Sequence, residues 1–115
     1  MSEILIDHVL LDRVTKAAKE SPRLRMNYNF HESLSSPSQR LLNALEPGTV
    51  LPIHRHRHTA ETYVLLRGRM RVLFYDDDKK EINRYELDPA EGTYGINIPR
   101  GQWHTIEVLC AGTVI

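Results

Sequence analysis

Apolar and polar positions change period along this chain, and the changes mark out its elements. Over residues 9–20, Leu10, Leu11, Val14, Ala17 and Ala18 recur at helical spacing, one apolar stripe on an otherwise polar segment. Ser21-Pro22 closes it, because the residue before a proline avoids helical backbone. From Arg25 the period falls to two. Arg25, Asn27, Asn29 and His31 share one parity; Met26, Tyr28 and Phe30 share the other. That alternation predicts a strand with a polar and an apolar face. Residues 32–39 form a polar, serine-rich loop. Further strands are predicted over 40–45, 50–56, 62–67, 70–75, 81–87, 94–98, 103–109 and 112–115. Turns separate them at Glu46-Pro47-Gly48, at Gly68, at the charged tip 76–80, at 88–92 and at 99–102. Many short strands behind one helix predict an all-β sandwich or barrel.

Length and composition narrow this picture. A chain of 115 residues is one domain: a helical arm over 1–24 and a β domain over 25–115. Thr113-Val114-Ile115 reads as the start of a strand, so the expectation is that further chain or a partner completes the barrel edge. Basic and acidic residues balance at 15 each, with no basic stripe, which argues against nucleic acid or an anionic membrane as partner. Zero net charge also gives little protection against self-association. The N-terminus lacks the apolar run of a signal peptide, and nothing is long enough to span a membrane. One cysteine, Cys110, makes no internal disulfide. The expectation is a cytoplasmic protein.

The chemistry sits in two short stretches. His54 and His56 are one residue apart on a predicted strand, so both imidazoles face the same side. Glu61 follows after a bend, and His104 arrives from a distant strand. Three imidazoles and one carboxylate suit one divalent transition metal, with zinc, iron, nickel, manganese and copper all open. His58 shares parity with His54 and His56 and is the rival ligand; the bend toward Glu61 should leave it on the rim. An octahedral ion would keep two positions free, whereas a tetrahedral zinc holding all four would be closed. One carboxylate leaves the site formally positive, so it would accept an anionic oxygen. Around it, Arg25, Asn27, Asn29 and Asn43 are candidate substrate-binding residues. Tyr63, His58 and His31 are the candidate catalytic groups. Trp103 should point away from the site, into the core or an interface.

The segment 48–68 follows the first cupin motif: Gly48, five residues, His54-x-His56, four residues, Glu61, six residues, Gly68. Pro99-x-Gly101-x-x-His104 follows the core of the second. The second motif's leading glycine falls at Thr93 and its closing asparagine at Val108, departures that touch turn geometry more than ligation. The stretches 21–31, 39–48 and 54–62 resemble the WbuC family of cupin-fold metalloproteins, a likeness covering nearly the whole chain. The resemblance implies a double-stranded β-helix, or jelly-roll barrel, with a short N-terminal α-helix and a metal on His54, His56, Glu61 and His104. It implies a homodimer, and a link to bacterial surface-polysaccharide (O-antigen) synthesis, in a family with no settled activity.

Two functions follow as expectations. One is an enzyme on a small polar molecule such as a sugar or sugar nucleotide, with the metal as Lewis acid in isomerase- or epimerase-like chemistry; an iron-dependent dioxygenase is its redox version. The other is a non-catalytic protein whose metal anchors an anionic ligand.

Overall fold

The computed structural model describes residues 3–33 and 35–115. Among these residues it is mostly β-structure with a single α-helix. Helix α1, His8–Glu20, starts where the Asp7 side chain accepts a hydrogen bond from the Leu10 N–H, and it ends at Ser21, whose backbone is already extended. Its stripe of Leu10, Leu11, Val14 and Ala18 is buried against Leu42, Ala44 and Val114, with Tyr28 and Phe30 alongside. His8, at its first turn, is exposed.

Eight strands follow: β1 Arg25–Asn29, β2 Leu41–Leu45, β3 Glu61–Val64, β4 Met70–Tyr75, β5 Glu81–Leu87, β6 Gly95–Ile98, β7 Trp103–Val108 and β8 Thr113–Val114. A short 3-10 helix, Pro89–Glu91, precedes β6. The ladders are antiparallel and form three sheets, β1-β2-β8, β3-β6 and β5-β4-β7. They close no barrel. Two isolated bridges extend them: Arg67 to Val114 links the end of the β3 segment to β8, and His54 to His104 lays the 50–56 segment beside β7. β8 is thus paired on both sides, to β2 and to Leu66–Arg67.

One core joins the sheets. Leu45 from β2, Met70, Val72 and Phe74 from β4, Ile98 from β6, and Ile106 and Val108 from β7 pack together with Leu65 and Leu87. Strand alternation places these on one inward face, while two of their neighbours, Ala44 and Leu73, are buried on the other face of their strands. Burying such side chains is worth roughly 1.5–3 kcal/mol each relative to exposure, so this layer dominates the stability of the β domain.

The predicted strand over 50–56 is corrected. Pro52 has no N–H to give a ladder, and the segment touches β7 only at single points. His54 and His104 exchange both backbone hydrogen bonds (3.0 and 2.8 Å), Thr105 Oγ1 donates to the Leu51 carbonyl (2.8 Å), and the Gly101 N–H donates to the His56 carbonyl (2.8 Å).

Candidate metal centre

Two sheets supply the site from opposite sides of the core. On β7, His104 shares parity with Ile106 and Val108, so its ring points inward, and it is fully buried. Glu61 opens β3 opposite Ile98, on the inward parity it shares with Tyr63. His54 and His56 come from the irregular segment beside β7. The structure therefore gathers all four expected ligands, with one donor atom from each lying within 4.8 Å of the others. Bonds of about 2.0–2.2 Å to a shared ion would place donors at most roughly 4.2 Å apart. The group is close to that size and needs only a small contraction.

The rings are oriented for it. His54 Nδ1 faces the Pro52 carbonyl at 2.9 Å, and His104 Nδ1 faces the Gln102 carbonyl at 2.9 Å. A carbonyl only accepts, so each Nδ1 carries a proton and donates it, which leaves Nε2 for the site. His104 Nε2 lies 3.1 Å and His56 Nε2 3.3 Å from Glu61 Oε1. The Tyr63 hydroxyl donates to the same oxygen at 3.1 Å.

These contacts fix the electrostatics of the metal-free site. Burial alone would raise the Glu61 pKa, but the hydrogen bond from His104, the charges of His56 and His104, and the Tyr63 hydroxyl outweigh it, and the carboxyl stays below its ordinary value. Burial pulls the His104 imidazole down, yet the bond to Glu61 and the Gln102 carbonyl raise it overall. Burial and the Glu61 charge both push the Tyr63 phenol upward, so it remains protonated as a donor. When His104 Nε2 is protonated, its proton lies toward Glu61, where an ion would sit.

The remaining candidates are distributed elsewhere. His58 is exposed at a bend outside the ligand group, as its place on the rim requires. His31 is buried in the loop after β1, where its Nδ1 accepts from the Arg40 N–H at 3.1 Å. Asn27 pairs in register with Asn43, and Arg25 with Leu45, so the polar parity of β1 lies on one face with Asn43. Asn27 and Asn29 are exposed. Arg25 donates to the Val50 carbonyl at 3.0 Å and fixes the start of the ligand segment instead. Among the described residues, no hydrogen bond or ion pair joins Arg25, Asn27, Asn29, Asn43 or His31 to the four ligands. Trp103 does point away from the site, and it lies outside both hydrophobic core clusters. It lies under Arg55 and Lys79 on the outer face.

Residues 6–87 match a family model described as "Domain of unknown function (DUF6016)", and the chain belongs to that family. The matched stretch includes His54, His56 and Glu61 and ends before His104. No curated protein and no solved structure matches the chain. Among the described residues, no helix is long and apolar enough to cross a membrane.

Proposed function

We propose that this DUF6016 protein binds one divalent transition metal through His54, His56, Glu61 and His104 and presents it to a small polar or anionic molecule. The observation that carries the reading is the convergence of three imidazoles and a carboxylate from two sheets and a loop, with two of the rings already locked by backbone carbonyls to offer Nε2. The fold behind it is proposed to be a cupin double-stranded β-helix of the WbuC type. The two isolated bridges support this: they align β1, β2, β8, β3 and β6 as one layer and β5, β4, β7 and the His54 segment as the other, with the core between. A sugar or sugar nucleotide of surface-polysaccharide synthesis is the proposed ligand class, and a homodimer the proposed assembly. Both rest on the family likeness.

The bound ion would supply Lewis acidity toward a carbonyl or anionic oxygen. This chain's own residues hold it. Tyr63 steadies Glu61 by donating to Oε1, and its raised pKa makes it a proton donor rather than a base near neutrality. A second reading, a metal-dependent binding protein without turnover, is favoured by one observation. His58 is exposed, His31 is engaged with the Arg40 backbone, and Tyr63 is committed to Glu61, which leaves none of the three candidate bases free beside the ligands among the described residues.

Elemental analysis of protein purified without added metal, followed by calorimetric titration with Zn²⁺, Ni²⁺, Mn²⁺ and Fe²⁺, tests the shared claim. One ion per chain is expected, lost in His54→Ala and His104→Ala. Variants that bind as the parent does would sink it.

A further inference from the structure

The ligand segment poses a mechanical problem. His54 and His56 stand on a stretch with no regular ladder, fastened to β7 by one bridge and two single hydrogen bonds. Yet both imidazoles must hold their place against His104. Arg55 lies between the two ligands and Trp103 directly before the third, on the β7 parity opposite to His104. The Arg55 guanidinium sits over the Trp103 ring, 4.5 Å from its centroid. The tip of the β4–β5 hairpin folds onto the same ring: Lys79 Nζ lies 5.0 Å from the centroid, and Asp77 reaches Arg55 at 3.9 Å. The tip is shaped for this, with Asp76 Oδ1 accepting from the Asp78 and Lys80 N–H groups and Lys79 in a left-handed conformation.

The ring contact, rather than the ion pair, holds Arg55. The Asp77 side chain is 92% exposed, so its attraction at 3.9 Å is screened. Arg55 Nε, in contrast, is buried with no hydrogen-bond partner, as a guanidinium laid flat on an aromatic face in place of water would be.

We infer that Arg55 and Trp103, with Lys79 as an outer cover, form a cation–π clamp that positions the His54-x-His56 pair against His104 for metal binding. Arg55 and Trp103 are positioning residues: they touch no ligand atom and act through the backbone they pin. The inference rests on the metal reading above.

The test is Zn²⁺ affinity by competition with a chromophoric chelator, with the visible spectrum of the Co²⁺ form as a report on ligand geometry. Arg55→Ala and Trp103→Leu are expected to lose about 10–100-fold in affinity, as supports of metal ligands do, while still binding one ion with an altered Co²⁺ spectrum. Arg55→Lys and Trp103→Phe keep a cation and a ring and are expected to recover most of it. Arg71→Ala removes the Arg71–Glu107 pair (2.8 Å) that joins β4 to β7 and should leave affinity and spectrum unchanged. Should Trp103→Leu fail to fold, Arg55→Ala and Lys79→Ala carry the test, with Lys79→Ala weakening binding less. Affinities within twofold of the parent with an unaltered spectrum overturn the clamp, as does an equal loss in Arg71→Ala. A parent that takes up neither ion overturns the metal reading itself, and the clamp with it.

Discussion

At the residue scale, the Glu61–His104 pair makes the metal-free protein and the metal site compete for the same atoms. Glu61 has a folded pKa below its ordinary 4.5, so its contribution to stability is full above that value and is lost as pH falls through the lowered pKa. His104 has a folded pKa above its ordinary 6.5, so its contribution is full below 6.5 and is lost as pH rises through the raised pKa. Metal-free protein is therefore expected to gain most from this pair between pH 4.5 and 6.5, and Glu61→Gln should flatten the profile in denaturant titrations. Metal affinity should move the opposite way, rising with pH as the His104 proton leaves. The four residues of the candidate site were legible because ligation imposes fixed spacings on few residue types, and the structure brings them together with His58 outside the group. Arg55 was not legible as a positioning residue. Its partners, Trp103 and Lys79, are 48 and 24 residues away in sequence (103 − 55 and 79 − 55), and only the fold brings them to one ring.

At the element scale, the hydrophobic period found α1 within one residue of its start, and strands β4 and β5 at their observed bounds. It failed at 50–56, where alternation looked strand-like but Pro52 and the sharing of β7 at isolated points left no ladder. The strand β1 formed where alternation predicted it, but Met26 of its apolar parity is exposed and His31 of its polar parity is buried, because parity assigns a face and not what lies opposite it. Turn chemistry offers a sharper test of how elements are joined. Gly68 has φ +97° and an added Cβ would meet the Thr113 Cα at 2.5 Å, whereas Gly101 at φ +82° has nothing within 4 Å. Both substitutions to alanine carry the left-handed backbone cost of roughly 1–2 kcal/mol. Gly68→Ala should add about 1–3 kcal/mol more by prising β8 from its place, a difference measurable in the denaturation midpoints of the two variants.

At the scale of the whole molecule, the ligand set is a cross-brace. Glu61 belongs to the β3-β6 sheet and His104 to the β5-β4-β7 sheet, so an ion held by both would join layers that the metal-free protein links by apolar packing and by the Glu61–His104 contact. A ligand bound only by the folded chain adds about 2.7 kcal/mol at a hundredfold excess over its Kd. Thermal midpoints are accordingly expected to climb with divalent ion concentration in the parent and to stay level in His104→Ala. The outward side of β7 has a consequence of a different kind. Trp103 is the chain's only tryptophan, and it stands beside His104 under two cationic side chains. Tryptophan emission, excited at wavelengths where the five tyrosines do not absorb, therefore originates at one point, on the reverse of the site. A shift of the His54-x-His56 segment that moves Arg55 across the indole alters that emission directly, so the chain carries its own unlabelled optical gauge of how its ligands are set.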